Sequence, residues 1–300
     1  MDRSIRVGSW EMISAMLISG TIGWFVFVSN VAVVQVVFWR CVIGSVMLAG
    51  ICKAFGYLKR DFLSPPRIAL AVLSGIAIVA NWLMLFASYS KASIAISTAV
   101  YNVQPFLLVM LASLFLKEKI TAPKLGWLTL AFLGVLAIVA AHADNRTGDD
   151  YLLGVLLATG AAFFYAVAAL LIKRLQGMPP HLIALIQVIS GAILLAPFMF
   201  DQSIPASGMS WAALASLGVV HTGLMYILLY GAIQKLPTAL TGALSFIYPI
   251  AAIGVDWIAF DHRLGLLQWV GVAVILFAAL GMQRGWGSSL VPRPEIEVSR

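Results

Sequence analysis

Charge is what this chain has least of: Lys, Arg, Asp and Glu make up 10% of its 300 residues, against roughly 25% in a soluble domain. That deficit excludes an ordinary soluble protein. Cysteine is almost missing too. Cys41 and Cys52 fall in one apolar run and offer neither a disulfide framework nor metal-ligand spacing. Asp149–Asp150 is the only adjacent acidic pair, and it sits in a loop; neither His-Glu-x-x-His nor Gly-x-Ser-x-Gly occurs. An enzyme working inside a membrane, such as a lipid-modifying transferase, needs metal-binding carboxylates or a nucleophile with its base. The sequence therefore offers no catalytic residue, no metal site and no cofactor. It also lacks a long linker, a low-complexity tract and a basic soluble domain, which leaves nothing to bind nucleic acid.

What is there is hydrophobic: 62% of the residues, with a mean hydropathy of +0.99. Apolar runs recur at roughly 20 residues, the length that carries a helix across a ~30 Å hydrocarbon core. Backbone amides in lipid must be satisfied within the segment, so the runs read as helices and not strands. Ten spans are expected, near Trp10–Val28, Val31–Cys52, Arg67–Ser88, Ser93–Leu116, Pro123–Ala141, Tyr151–Ile172, His181–Phe200, Ser210–Gln234, Thr238–Phe260 and Gly265–Gln283. The first follows Arg3 and Arg6 as a signal peptide would. No small-residue cleavage site follows it, however, and the second span starts at once, so it reads as a membrane helix.

With a cytoplasmic N-terminus, that side collects Arg3, Arg6, Lys53, Lys117, Lys173 and Lys235 among others, while the opposite side holds only Lys91, Arg146 and Arg263. The positive-inside bias places both termini in the cytoplasm of a bacterial inner (plasma) membrane, and it accounts for the net charge of +7. The tail, residues 285–300, is polar and reads as disordered; its Leu290-Val-Pro-Arg293 resembles a protease-cleavage tag.

A shift of 144 residues superposes Lys91 on Lys235, Ala95 on Ala239, Ala99 on Ala243 and Pro105 on Pro249; Trp82 then meets Tyr226. In this register span four matches span nine. Ten spans divide into two halves of five, residues 1–142 and 151–284, and an odd number inverts the second half. Inverted repeats are a recurring plan of secondary transporters, with the substrate near the midplane between the halves. The seam is the polar segment Ala143–Asp150. The expected fold is thus all-α and integral to the membrane, ten helices in two inverted five-helix repeats.

Trp39-Arg40 in span two, Lys91-Ala92-Ser93 leading to Pro105, and Leu116-Lys117-Glu118-Lys119 together resemble the drug/metabolite transporter superfamily, EamA type. Length and aromatic-rich spans are similar to the bacterial aromatic amino-acid exporters. After span nine, Asp261-His262-Arg263 replaces a Lys-Glu-Lys pattern, so a family role for that second acid is not carried over. The resemblance implies export of amino acids, spans five and ten as scaffold or dimer surface, and a monomer or weak homodimer.

Ionisable groups inside a bilayer are costly, so each is a candidate. Arg40 either holds a substrate carboxylate or gate, or is a paired arginine that locks its helix. Asp256 either titrates at an external vestibule or pairs with Arg263. His221 either couples protons or is a hydrogen-bonding core residue. Tyr101 and Gln104 share a polar stripe ahead of Pro105, as Tyr248 does ahead of Pro249, and the two prolines are read as matched hinges. Trp24, Trp82, Phe164 and Tyr226 fall well inside their spans and suit a ligand with a ring, while Asn81, Gln104 and His221 supply polar contacts. The leading reading is alternating-access export of amino acids, aromatic and apolar ones first. A carrier for another small metabolite or drug stands beside it, and an enzyme or a channel behind it.

Overall fold

A computed structural model describes residues 3–92, 94–140, 149–260 and 265–287. Among these residues the regular structure is entirely helical. The helices are α1 (Arg3–Ser19), α2 (Ile22–Ser29), α3 (Val33–Ala54), α4 (Pro65–Ala92), α5 (Ile94–Tyr101), α6 (Gln104–Leu116) and α7 (Ala122–Ala140). They continue as α8 (Asp149–Arg174), α9 (Pro180–Leu195), α10 (Gly208–Gly218), α11 (Met225–Lys235), α12 (Thr238–Ser245), α13 (Ile247–Phe260) and α14 (Leu266–Arg284). A π-helical turn, Val219–Leu224, joins α10 to α11. Six of these stretches are long and apolar enough to cross a membrane, and four shorter apolar helices accompany them: Gln104–Leu116, Ala122–Ala137, Thr238–Ala252 and Trp269–Met282.

The expected spans four and nine are broken, each just before its proline. Pro105 has no amide N–H, so the carbonyl of Tyr101 loses its helical donor. The chain turns at Asn102–Val103, and the Asn102 side chain donates to the Thr98 carbonyl at 2.6 Å beside the Asn102 backbone N–H at 3.1 Å. Pro249 deprives Ser245 in the same way, and the helix is interrupted at Phe246. Asn102 and Phe246 are 144 positions apart, the same separation as Trp82 and Tyr226. A third break, at Gly20–Thr21, divides span one into α1 and α2. The first helix also starts at Arg3, ahead of the expected Trp10.

α4 packs along α8, and α1 along α11; α7 lies against α14 and α3 against α9. The centre is filled by side chains such as Met12, Leu128 and Phe246, none of them exposed. The outside carries Val46, Leu114 and Ile193 about two-thirds exposed, a surface made for hydrocarbon. Several buried polar groups pair with one another inside, as hydrocarbon favours. Gln187 donates to Ser74 at 2.7 Å and accepts from Tyr230, and Gln234 donates to the Leu175 and Met178 carbonyls at 3.1 Å, closing the end of α8.

Candidate functional site

A narrow, partly open cavity of about 40 Å3 lies where α1, α2, α4, α5, α6, α8, α11 and α13 converge. Its wall is aromatic and amide: Asn81, Trp82, Tyr101, Gln104, Tyr226 and Tyr248 all line it. No acidic, basic or histidine side chain belongs to the lining formed by the described residues.

The hydroxyls are oriented by their neighbours. Trp82 Nε1 donates to the Tyr226 hydroxyl at 2.8 Å, so Tyr226 keeps its own proton to give away. Asn81 Nδ2 donates to the Tyr101 hydroxyl at 3.2 Å and to the Ala161 carbonyl at 2.8 Å, with the same consequence for Tyr101. Gln104 Oε1 is buried and has no hydrogen-bond partner. The Trp82 and Tyr226 rings meet edge to face at 5.5 Å, and Tyr101 lies 6.1 Å from Tyr165 and 6.5 Å from Tyr248. The cavity thus offers ring faces, two hydroxyl donors and one amide acceptor.

Three residues expected in the site stand elsewhere. Trp24 is 38% exposed, its ring against Phe25 at 4.7 Å, and Ile22 takes the place facing inward. The break at Gly20–Thr21 turns the face that an unbroken helix would present. Phe164 packs against Phe163, and its neighbour Tyr165 faces the cavity, since one residue turns a helix by about 100°. His221 lies behind the wall in the π-helical turn, where Nδ1 meets the Ser216 carbonyl at 3.0 Å and Nε2 meets the Thr21 hydroxyl at 2.6 Å. Tyr89 and Phe86 line the cavity without having been expected there. Both lie one or two turns beyond Trp82 on α4, and that spacing is the signal that would have found them.

Arg40 is wholly buried behind the wall. Its Nε donates to Thr222 Oγ1 at 2.9 Å and one terminal nitrogen donates to the His221 carbonyl at 3.2 Å. The π-helical turn is thereby tied to α3. Asp256 is on α13, and its side chain lies outside the described residues, as do Arg263 and the tail beyond Gly287. Among the described residues no cluster of His, Cys, Asp or Glu is arranged to hold a metal.

Ion pairs clasp both ends of the bundle. At one end Lys91 meets Asp150 at 2.7 Å; at the other Lys235 meets Glu11 at 2.5 Å and Lys173 meets Glu118 at 2.9 Å. Glu118 also accepts from the Thr238 hydroxyl at 2.7 Å. Burial raises its carboxyl, but the hydrogen bonds from Lys173 and Thr238 and the charges of Lys173 and Lys124 outweigh that, holding it below its ordinary 4.5.

Residues 6–140 and 152–283 match the EamA-like transporter family. The chain belongs to that family. The chain is 29% identical to the uncharacterized transporter YxxF of Bacillus subtilis (strain 168), over 91% of this chain and 88% of that one. It is 22% identical to the pseudopaline exporter CntI of Pseudomonas aeruginosa, over 83% and 86%. It is 26% identical to a riboflavin transporter of Vibrio cholerae, over 68% and 67%. A solved crystal structure shares the fold with a TM-score of 0.79 at 17% identity, covering 91% of this chain and 96% of that one. The chain is a multi-pass membrane protein of a transporter family.

Proposed function

We propose that this member of the EamA-like family exports small ring-bearing molecules, aromatic and apolar amino acids foremost, by alternating access around the central cavity. The observation that carries the proposal is how the cavity is lined. Four of its residue pairs, Asn81 with Met225, Trp82 with Tyr226, Leu85 with Leu229 and Gln104 with Tyr248, are each 144 positions apart. Two of these mates, Trp82 and Tyr226, touch each other. A residue in contact with its own repeat mate must lie close to a two-fold axis, so the cavity would sit between two inverted five-helix halves. Secondary transporters hold their substrate in such a place.

The six long and four shorter apolar helices then make ten crossings, with both termini in the cytoplasm of an inner membrane, as the Lys and Arg bias asks. Lys91–Asp150 clasps the external end and Lys235–Glu11 the cytoplasmic end. In alternating access each clasp opens in turn, with the interruptions ahead of Pro105 and Pro249 acting as the hinges. One chain encloses the whole cavity, so a monomer suffices and a weak homodimer adds nothing to the site. Relatives that carry pseudopaline or riboflavin support the second reading, a carrier for another small metabolite.

Uptake of a labelled amino-acid panel into proteoliposomes tests the proposal. Flux of an aromatic amino acid should saturate and fall at least tenfold in Trp82→Ala and Tyr101→Ala, each of which removes a ring worth roughly 0.5–1.5 kcal/mol beyond its buried area. Unchanged flux in both folded variants would move the site elsewhere, and no flux for any member of the panel would remove the amino-acid assignment.

A further inference from the structure

Arg40 keeps its positive charge at any pH a cell meets, yet it is wholly buried and is paired with no carboxylate among the described residues. Two of its nitrogens find Thr222 and the His221 carbonyl, and the third, Nη1, has no partner. Its guanidinium lies 4.0 Å from the centre of the Trp82 ring and 5.7 Å from that of Phe86. Both rings are cavity wall. One aromatic layer therefore separates an uncompensated cation from the space where a solute would sit.

We propose that Arg40 sets the charge of what the cavity accepts: ring-bearing solutes with a carboxylate enter, and amines without one are turned away. The inference rests on the cavity being the transport site, although Arg40 itself does not reach it. The wall alone would suggest the opposite, because rings such as Trp82 and Tyr226 are the material of an aromatic cage for ammonium groups. That use is spoiled here. The guanidinium occupies one face of Trp82 and draws on the electron density that a cation at the other face would need.

The polar groups point the same way. Tyr101 and Tyr226 each accept a hydrogen bond from a neighbour and so present their own protons, which suit a carboxylate. Gln104 Oε1, buried and without a partner, suits the ammonium of a zwitterion. A lone amine would find that acceptor but no carboxylate in the lining to neutralise it, with a fixed positive charge behind the wall.

Four indoles of one shape separate the possibilities: indole-3-propionate, indole-3-propionamide, tryptamine and tryptophan. Binding to the full chain in lipid nanodiscs is measured by calorimetry, which avoids the leak of weak acids and bases across vesicles. The anion should bind on the order of a thousandfold tighter than the amine, since a unit charge ~8 Å away at an effective dielectric of ~20 favours the one by roughly thirtyfold and disfavours the other by as much. Arg40→Gln should bring that ratio close to one, and Arg40→Lys should keep much of it. A purely structural arginine would weaken all four ligands together and leave the ratio standing, which would overturn the inference. If Arg40→Gln does not fold, the wild-type ratio decides: tryptamine binding as well as the propionate refutes the role. Failure of tryptophan alone, with the anion still preferred, would sink the amino-acid reading and leave the charge rule intact. No binding by any of the four would remove both.

Discussion

Replacing Glu118 with Gln tests whether the Glu118–Lys173 clasp carries stability that the Lys91–Asp150 clasp at the opposite end does not. Glu118 holds Lys173, whose side chain is only 9% exposed, while Glu118 itself is 36% exposed. Removing one partner of a fully buried pair costs about 3–5 kcal/mol, and an exposed pair is worth about 0–1 kcal/mol. The mixed exposure puts Glu118→Gln between these, at about 1–2 kcal/mol, since Lys173 keeps a neutral acceptor but loses the charge opposite it. At the other end Lys91 is 33% and Asp150 82% exposed, so solvent screens the pair and Asp150→Asn should cost far less. For a chain of this size the first change lowers the melting temperature by roughly 2–6 °C and the second by less than about 2 °C. The assay is thermal unfolding of the purified protein at neutral pH, followed by intrinsic tryptophan fluorescence. Its pH dependence is fixed by the sign of the shift. Glu118 titrates below its ordinary 4.5, so the stabilisation is complete above that value and is lost as pH falls through the lowered one. The gap between wild type and variant should hold from pH ~6 to ~8 and close only below pH ~4. Equal losses from Glu118→Gln and Asp150→Asn, or a gap that closes near neutrality, would refute the reasoning.

Tyr226→Phe strips the acceptor from Trp82 Nε1 and leaves a buried N–H unpaired; thermal unfolding should show a loss of about 1–3 kcal/mol. The same variant should bind indole-3-propionate more weakly than wild type, because a hydroxyl donor has gone from the wall. Gly154 lies where an added Cβ would come within 2.5 Å of the Ala92 Cβ, so Gly154→Val should fail to accumulate as a folded, monodisperse species on size exclusion. Gly50 meets nothing within 4 Å and sits inside α3, so Gly50→Ala should stabilise by about 0.5–1 kcal/mol in the same unfolding assay.

What the sequence made legible follows from how few alternatives the membrane leaves. An apolar run in lipid can only be helical, and a proline in such a run must release a carbonyl, so the interruptions ahead of Pro105 and Pro249 were readable from two residues. Six of the nine expected site residues line the cavity; for Asn81 and Trp82, on the unbroken α4, helical periodicity fixes the face. Trp24 was misplaced because the helix beneath it is broken, and a face projected through a break is lost. His221 was misplaced because a π-helical turn inserts extra arc that a period of 3.6 does not contain. The ion pairs were hidden altogether. Glu118 and Lys173 are 55 positions apart, and nothing in a loop says which lysine of many a carboxylate will find.

The shift of 144 gained its meaning from a contact. Aligned along the chain, Trp82 over Tyr226 is two aromatics in a sequence full of them. The Trp82 indole donates to the Tyr226 hydroxyl, which is the contact the proposed two-fold relation between the halves calls for. Substituting either must then disturb both halves at the place where they meet. Arg40 has no such mate: the position 144 residues on is Ala184, on α9. The charge behind Trp82 therefore belongs to one half only. Under the proposed repeat, two halves built alike need not share a field, and a cavity between them can be symmetric in shape while selecting one sign of charge.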